Sequence, residues 1–479
     1  MGDVTEIRET TTPEVDLEAD LARLRAGYER DRNPSLAARI KNLDRLEAAI
    51  MKRRQDIADA ISNDFGTRSV HATSLVEVLM TVEGIRHTRK ELPKWIKRQK
   101  RRTNLSFLPA KVTRTPQPLG VIGIISPWNY PVNLALGPMT GALAAGNRVM
   151  LKPSELTPKT SELLASLVAD TFREDLAHTV IGGADVGAAF AGLPFDHLVF
   201  TGSTRVGKLV MKAAAENLTP VTLELGGKSP TILHPSFPVE EAASSIALGK
   251  WFNAGQTCIA PDYVLVPEND APALASAIER ALRAQYPKLR DNPDYTSVIN
   301  ASHRARVASL VEDARERGAK VVEVNPHHES FEGTNKYVPT MLLDVTDDMQ
   351  VMQEEIFGPV LPIVGYRRLE DAIRYVNDRP RPLALYYFDR DERRADRVLS
   401  ETVSGGATIN GCMWHFAQDD LPFGGVGPSG MGAYHGQEGF DAFSHQKSVF
   451  HQARLNGSAL LAPPYGKTLE TLLRVLLRA

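Results

Sequence analysis

From residue 119 onward, the chain alternates short apolar runs with stretches whose apolar residues recur at helical spacing. The first series of runs covers residues 121–125, 148–151, 179–181, 197–200 and 230–233, with helical patterns at 161–172 and 205–217. A second series covers residues 263–266, 320–324, 360–364 and 407–409. Strands that alternate with helices predict parallel sheets with helices on both faces, which is a doubly wound α/β fold. The change between the two units is predicted near Gly226 and Gly227.

The composition limits the classes of function. The 479-residue chain is 43% hydrophobic and 24% charged, with a formal net charge of −2, so a general affinity for polyanions is not expected. A basic stripe at residues 89–102 interleaves Trp95 and Ile96. It is too isolated for a nucleic-acid-binding surface and predicts a solvated helix face or a subunit contact.

The two ends of the chain carry no clear targeting signal. Residues 1–21 are acidic and lack the basic-then-apolar order of a secretory signal. No apolar run approaches the ~20 residues that span a bilayer, so a cytoplasmic protein without a membrane span is expected. Residues 467–479 predict a short amphipathic helix that packs on protein, with contact to a membrane surface as the alternative.

Cysteine is scarce, since the chain holds only Cys258 and Cys412. Small polar residues precede Cys258 and Pro261 follows it, which predicts a loop leading into the start of a helix. Backbone N–H groups and the helix dipole would lower the pKa of a thiol at such a position. Taken alone, a free cysteine is more often a small buried apolar residue. Cys412 precedes no helix start and is predicted to be a packing residue.

Residues 197–207 predict a strand, a glycine turn and a helix start. Gly202 would let the backbone approach a ligand, and the helix N-terminus could hold a pyrophosphate. The spacing from Gly202 to Gly207 differs from the usual G-x-G-x-x-G pattern, so an ordinary strand–helix turn remains the alternative. Glu224 lies about twenty residues further on, where that pattern places a ribose ligand.

Two other predicted strands end in polar residues. Lys152 and Glu155 follow the strand at 148–151, where the carboxylate could accept both hydroxyls of a ribose and the ammonium could reach a phosphate. A surface ion pair is the alternative. Asn129 follows the strand at 121–125 and brings an amide donor to the carboxyl edge of the sheet, as an oxyanion hole requires. Local capping chemistry is the alternative for Asn129.

Seven motifs occur in order over nearly the whole chain: ISPWNYP, KPSE, FTGSTRVG, LELGGKSP, FNAGQTC, EEIFGPV and LPFGGVGPSGMGAYHG. Together they resemble the NAD(P)-dependent aldehyde dehydrogenase superfamily. The closing GMGAYHG followed by FSHQKSV is most similar to its class 3 branch, which includes coniferyl-aldehyde and fatty-aldehyde dehydrogenases.

The resemblance implies an aldehyde dehydrogenase-like α/β fold in three parts. A Rossmann-type cofactor domain would cover residues 1–99 and 119–226, and an α/β catalytic domain would cover 227–429. A small oligomerisation element with the C-terminal tail would cover 100–118 and 430–479. A homodimer is implied as well.

The same resemblance assigns roles to residues. Cys258 matches the nucleophile, Asn129 the oxyanion donor and Glu224 the general base, which replaces the ribose assignment for Glu224. The cofactor-binding residues it implies are Lys152, Glu155, Gly202, Ser203, Gly207, Glu355 and Phe357. Within that set, Lys152 and Glu155 match the ligands of the adenosine ribose, and Glu355 matches the acid that holds the nicotinamide ribose.

These residue types suit the oxidation of an aldehyde to a carboxylic acid. A Cys258 thiolate would attack the carbonyl to give a thiohemiacetal, and Asn129 would stabilise the alkoxide. Loss of hydride to NAD(P)+ leaves a thioester, which water activated by Glu224 would hydrolyse. No metal is predicted, because no HExxH or paired-cysteine pattern occurs. A cysteine-dependent acyl transferase or hydrolase without redox chemistry and a non-catalytic binding protein are the rival interpretations.

The substrate and the cofactor preference are less constrained. Aromatic residues near the motifs could line a tunnel for coniferyl-type or medium-chain aldehydes, or could pack in the core: Tyr130, Trp251, Trp414, His415 and Phe416. The Glu155 carboxylate would repel a 2′-phosphate and favours NAD, with NADP as the alternative.

Overall fold

The computed structural model describes residues 16–458 and 462–477. The acidic N-terminal segment interpreted above therefore lies largely outside the described residues. Three β-sheets and the helices that cover them make up the described chain. The α-helices are α1 Leu17–Arg30, α2 Leu36–Lys52, α3 Arg54–Phe65, α4 Val70–Thr73, α5 Met80–Trp95, α6 Asn133–Ala145, α7 Pro158–Thr171, α8 Ala184–Ala191, α9 Thr204–Ala215, α10 Val239–Trp251, α11 Ala271–Gln285, α12 Ala301–Glu316, α13 Gln350–Gln353, α14 Leu369–Asn377, α15 Glu392–Glu401, α16 Gly436–Ala442 and α17 Lys467–Leu476.

Sixteen strands occur in the part of the chain that the structure describes. They are β1 Gln99–Arg101, β2 Lys111–Pro118, β3 Val121–Ile125, β4 Arg148–Lys152, β5 Ala177–Thr179, β6 His197–Thr201, β7 Val221–Glu224, β8 Pro230–Leu233, β9 Tyr263–Pro267, β10 Lys320–Glu323, β11 Thr340–Leu343, β12 Val360–Tyr366, β13 Ala384–Phe388, β14 Gly406–Ile409, β15 Gly430–Met431 and β16 Ser444–His451. A single turn of π-helix, Ser74–Leu79, lies directly before α5.

The first large sheet has six strands in the order β15-β7-β6-β3-β4-β5. Its strands are parallel except for the short β15, which pairs antiparallel with β7. β3 and β4 are almost wholly buried, which explains why they are continuous apolar runs instead of alternating ones. The carboxyl ends of β4, β6 and β7 carry Lys152, Thr201 and Glu224. This edge is where open α/β sheets bind ligands.

The second large sheet has seven strands in the order β10-β11-β12-β9-β8-β13-β14. All its neighbours are parallel except β10, which pairs antiparallel with β11. A third, antiparallel sheet joins β1, β2 and β16. The segments around residues 100–118 and 444–451 therefore meet in space, although the domain boundaries themselves stay a prediction.

The fold class predicted from the sequence is confirmed, as are most of the strands. The run predicted at 179–181 is wrong by two residues, since the strand is Ala177–Thr179. The pattern missed seven strands: β1, β2, β7, β11, β13, β15 and β16. The predicted C-terminal helix is present as α17, with Leu469 buried and Leu473 exposed. No helix within the described residues is long and apolar enough to cross a membrane.

Candidate active site

Cys258 follows an unusual backbone turn. Asn253, Ala254 and Gly255 all have positive φ angles, of 51°, 52° and 74°. Left-handed residues other than glycine cost about 1–3 kcal/mol each, and such strain is concentrated at functional sites. At Gly255 the positive φ angle disfavours any side chain, and a Cβ atom there would also collide with the carbonyl oxygen of Gly358. The predicted helix start after Cys258 is wrong, since a short turn leads directly into β9.

The side chain of Gln256 holds this turn in place. Its Nε2 donates to the carbonyl oxygens of Asn253 and Ser297, each at 3.0 Å. Its Oε1 accepts a hydrogen bond from the backbone N–H of Ile299 at 2.9 Å. A buried amide that uses both ends in this way fixes the loop, and with it the position of the Cys258 sulfur.

The surroundings of the Cys258 thiol oppose its ionisation. Burial raises the pKa of Cys258 to about 12, and the nearby carboxyl groups of Glu355 and Glu224 act in the same direction. Backbone N–H groups of Cys258 and Ile259 point at the sulfur and partly offset this effect. Those donors, instead of a helix dipole, are what this site offers to a thiolate or to a developing oxyanion.

Glu224 is a buried carboxyl group at the end of β7. Its side chain is 2% exposed, and neither carboxylate oxygen has a hydrogen-bond partner among the described residues. Burial raises the pKa of Glu224 well above its usual value. A carboxyl group with a raised pKa and free oxygens is suited to take a proton from water near neutral pH.

Asn129 lies beside the Cys258 loop. It is buried, and its Nδ2 donates to the carbonyl oxygen of Gln256 at 3.2 Å. The backbone oxygen of Asn129 in turn accepts hydrogen bonds from Arg68 Nη1 at 2.7 Å and from Asn253 Nδ2 at 3.3 Å. The structure thus brings Asn129 and the Cys258 loop together through direct hydrogen bonds.

The Arg68 side chain that binds the backbone of Asn129 is part of a buried ion pair. Arg68 and Glu77 lie 3.3 Å apart with side chains that are 1% and 0% exposed. Glu77 Oε2 also accepts hydrogen bonds from the backbone N–H groups of Val132 and Asn133, at 3.1 and 2.8 Å. The guanidinium of Arg68 stacks over the Tyr130 ring at 4.8 Å.

Replacing Arg68 with methionine is expected to lower the free energy of unfolding by about 3–5 kcal/mol, because it leaves the Glu77 carboxylate buried without its counter-charge. Chemical denaturation measures this effect. Replacing the exposed Arg54 with methionine is the matched control and should change stability by less than about 0.5 kcal/mol. Equal stability of the two variants would contradict this role for the ion pair.

Cys258 and Glu224 both line one cavity of about 400 Å³, whose walls are mostly apolar. Of the aromatic residues singled out from the sequence, Tyr130, Trp414 and Phe416 line this cavity. Trp251 is instead a core residue, with Nε1 donating to the carbonyl oxygen of Pro359 at 3.1 Å. His415 is also buried, beside Thr408, outside the cavity lining. The tunnel predicted from these residues is therefore only partly aromatic.

Sequence reasoning missed Tyr434, although it lies in the quoted GMGAYHG motif. Its side chain is 3% exposed, its hydroxyl has no hydrogen-bond partner among the described residues, and it lines the cavity. Burial, followed by the charges of Glu224 and Cys258, raises the pKa of Tyr434 well above its usual value.

Cys412, predicted as a packing residue, is buried against Gly249 of α10.

Lys152 and Glu155 form a polar pair at the carboxyl end of β4. Lys152 is 3% exposed, and its Nζ donates to Glu155 Oε2 at 2.8 Å. Burial raises the pKa of Glu155, but the hydrogen bond from Lys152, a backbone hydrogen bond and the charge of Lys152 together outweigh it, so the pKa is lowered overall. A buried lysine that faces a half-exposed carboxylate offers both a cation and an acceptor to a ribose-phosphate group.

The glycine turn after β6 leads into α9. Ser203 caps this helix by accepting a hydrogen bond from the backbone N–H of Val206 at 3.4 Å. Gly207 is buried, and a Cβ atom there would lie 2.6 Å from the Leu225 side chain. Gly207 therefore serves close helix–strand packing, whereas Gly202 and Ser203 lie at the exposed turn where a phosphate could approach.

Glu355 lies at the junction between the two large sheets. The Glu355 carboxyl group fills the space beside Gly226, where any Cβ atom would collide with it. Burial, with the charge of Asp262, raises the pKa of Glu355 to about 8, and a hydrogen bond from the Gly227 N–H partly offsets this. Glu355 Oε1 has no partner among the described residues. Phe357, with φ 47°, packs edge-on against Trp128 at 5.4 Å.

These residues fit a dinucleotide. The buried Oε1 atom of Glu355 needs a donor such as a ribose hydroxyl, and the Lys152–Glu155 pair and the Ser203 turn lie at the carboxyl edge of the six-stranded sheet. Among the described residues, no group of three or more His, Cys, Asp or Glu side chains is arranged to hold a metal ion.

Comparisons with known proteins agree with this geometry. Residues 3–449 match the model of the aldehyde dehydrogenase family. The chain is 49% identical to a coniferyl aldehyde dehydrogenase from a Pseudomonas species over 446 residues, which is 92% of each protein. It resembles the substrate-bound structure of Staphylococcus aureus AldH with a TM-score of 0.91 and 38% identity, over 97% of this chain and 100% of that one.

A NAD+ complex of an aldehyde dehydrogenase from Bacillus cereus matches with a TM-score of 0.83 and 28% identity, over 92% of this chain and 89% of that one. Neighbours in this family thus bind NAD+ in the same fold. The chain belongs to the aldehyde dehydrogenase family, whose members oxidise aldehydes to carboxylic acids with NAD(P)+.

Proposed function

We propose that this enzyme oxidises hydroxycinnamyl aldehydes such as coniferyl aldehyde to their acids. The observation that carries the proposal is a single, mostly apolar cavity of about 400 Å³ that holds both Cys258 and Glu224 and is lined by aromatic residues. The name of the Pseudomonas relative at 49% identity supports the aromatic substrate over a simple aliphatic one.

Cys258 is the nucleophile in this proposal. In its thiolate form, the sulfur attacks the carbonyl carbon, which forms the carbon–sulfur bond of a thiohemiacetal while the carbonyl π electrons move to oxygen as a negative charge. A side-chain amide carries two N–H hydrogens. Asn129 uses one on the Gln256 carbonyl and keeps the second for the oxyanion, together with the backbone N–H of Cys258. One such donor is worth about 3–4 kcal/mol in the barrier.

Glu224 is the general base that releases the product. The acyl group left on the Cys258 sulfur is a thioester, and a water molecule must lose a proton to attack it. Neither Glu224 oxygen is engaged within the described residues, so both can accept that proton. Because burial raises the pKa of Glu224, its active carboxylate form becomes populated at a higher pH than for an ordinary glutamate. Its activity as a base should therefore increase as the pH rises through that range.

NAD+ would be held by Lys152, Glu155, Gly202, Ser203, Gly207, Glu355 and Phe357. When bound, it supplies the acceptor for the hydride that leaves the thiohemiacetal carbon. Lys152 and Glu155 hold the adenosine ribose, and Glu355 holds the nicotinamide ribose through its unpaired Oε1. Gly202 and Ser203 leave room for the pyrophosphate at the start of α9, and Gly207 lets α9 pack closely on Leu225.

Replacing Glu155 with glutamine is expected to reduce the preference for NAD over NADP by about tenfold, because a neutral amide no longer repels a 2′-phosphate. The ratio of kcat/KM for the two cofactors, at one fixed aldehyde concentration, measures this preference. Glu162→Gln, on the exposed face of α7, is the control. An unchanged ratio in Glu155→Gln would remove Glu155 from the ribose site.

We further propose a cytoplasmic homodimer. Its cofactor domain comprises residues 1–99 and 119–226, its catalytic domain 227–429, and its oligomerisation element 100–118 with 430–479. The antiparallel pairing of β2 with β16 over eight residue pairs supports treating the last two segments as one unit.

Incubation of the purified protein with a panel of aldehydes, in parallel with NAD+ and NADP+, tests the proposed function. The panel contains coniferyl aldehyde, cinnamaldehyde and octanal, and absorbance of the reduced cofactor gives the rate. The proposal expects the highest kcat/KM for coniferyl aldehyde. A clear preference for octanal would contradict the aromatic substrate, and no reduced cofactor with any aldehyde would contradict the reaction.

A further inference from the structure

One face of α5 forms a wall of the cavity that contains Cys258. Met80, Glu83, Gly84 and His87 lie at spacings of three and four residues along this helix, so they share a face, and all four line the cavity. The cavity therefore extends along about two turns of α5.

The Thr81 end of this α5 face is connected to the Cys258 loop by hydrogen bonds and an ion pair, and the His87 end is farther away along the helix. Thr81, at the beginning of α5, accepts a hydrogen bond from Asn133 Nδ2 at 2.9 Å, and the Asn133 backbone N–H donates to Glu77. Glu77 pairs with Arg68, which binds the backbone of Asn129. The beginning of α5 is thus tied to the Cys258 loop. His87 lies six residues further on, which is about 9 Å along the helix axis.

The His87 side chain has a ring nitrogen that forms no hydrogen bond within the described part of the chain. Its Nε2 is buried and has no hydrogen-bond partner among the described residues. The nearest carboxylate oxygen, Oδ1 of the highly exposed Asp420, is 3.9 Å away, which is beyond hydrogen-bond range. The imidazole ring packs against Trp95 with centroids 5.9 Å apart. A buried polar atom without a partner is costly, and a ligand group would satisfy it.

Asp419 supplies a second polar group in the same part of the cavity. It lines the cavity, and its Oδ1 lies 3.4 Å from the point that a Cβ atom on Gly84 would occupy. The Asp419 carboxylate therefore lies directly beside α5. Burial, and the nearby charge of Glu83, raise the pKa of Asp419, while His87 lowers it.

We propose that His87 and Asp419 form the distal end of the substrate site and recognise a hydroxyl group on the aromatic ring of the aldehyde. This inference rests on the proposed function and names its specificity-determining residues. A hydroxyl group both donates and accepts, so it can donate to the Asp419 carboxylate and pair with His87 in either tautomer. His87, Asp419 and Cys258 line the same cavity, whose other walls are mostly apolar and can pack around the ring.

A site built to hydrogen-bond a hydroxyl rejects the analogue that lacks it, because its own polar groups then stay unpaired. The test compares kcat/KM for 4-hydroxycinnamaldehyde and cinnamaldehyde, which differ only in that hydroxyl. The wild-type enzyme is expected to prefer the hydroxylated substrate by at least about tenfold. In His87→Phe, which keeps an aromatic ring against Trp95, the preference should fall to within about twofold.

Asp419→Asn gives a second measurement and should also lower the preference, because an amide replaces the charged acceptor. His71→Phe, at an exposed position outside the cavity, is the matched control and should keep the wild-type preference. The melting temperature and the circular dichroism spectrum show whether each variant is folded. A wild-type ratio near one, or an unchanged ratio in both His87→Phe and Asp419→Asn, would overturn the inference. Failure to oxidise either aldehyde would contradict the proposed function itself, and the inference would fall with it.

Discussion

Replacing Cys258 with alanine is expected to lower kcat for aldehyde oxidation by about four orders of magnitude or more, as loss of a catalytic nucleophile does in other enzymes. Without the sulfur, no tetrahedral carbon forms and hydride has no electron-rich centre from which to leave. The fold should tolerate the change, because Cys258 is only partly buried and its loop is held by Gln256 instead of by the thiol. Steady-state formation of reduced cofactor measures the loss.

Cys412→Ala is the matched control, since Cys412 is the only other cysteine and lies outside the cavity lining. It removes a buried sulfur, so a lower melting temperature is expected with kcat near the wild-type value. If Cys258→Ala kept wild-type turnover, or if Cys412→Ala lost it while folded, the assignment of the nucleophile would be wrong.

Glu224→Gln is expected to separate the two halves of the reaction. The amide has the shape of the carboxyl group but cannot take a proton from water, so the thioester should accumulate. One equivalent of reduced cofactor should form rapidly per active site, followed by a steady-state rate lower by about 10²–10⁴-fold. Stopped-flow absorbance resolves the burst from the slow phase.

Glu91→Gln, which alters a carboxylate paired with Lys94 on α5 outside the cavity lining, is the control and should show wild-type steady-state turnover. Undiminished steady-state turnover in Glu224→Gln would show that another group activates the water. Loss of the burst along with the steady state would mean that Glu224 acts before hydride transfer.

Much of the fold could be predicted because it follows from local pattern. The strands at β3, β4 and β6 are continuous apolar runs followed by turns, which is the signature of strands buried on both faces. β7 and β13 were not predicted because their local sequence lacks a clear strand pattern. β7 is four residues long and ends in a glutamate, and β13 follows a proline-rich stretch at residues 380–382. Their place in the sheets is decided by neighbouring strands.

The active site was less accessible from the sequence, because its geometry depends on distant contacts. Nothing near Cys258 indicated that three consecutive residues adopt positive φ, so a helix start was predicted instead of a strained turn. Arg68 reaches Asn129 across 61 residues, and Gln256 reaches Ser297 across 41. No spacing rule links such positions. The division of the aromatic residues between cavity and core likewise required the tertiary structure.

If Cys258 carries the acyl group during turnover, the acylated peptide can be identified by its mass. Glu224→Gln protein is mixed with coniferyl aldehyde and NAD+, quenched in acid within the burst, and digested for peptide mass spectrometry. The peptide containing Cys258 is expected to gain the mass of one feruloyl group, while the peptide containing Cys412 is not. A full burst of reduced cofactor with Cys258 unmodified would contradict this role of Cys258.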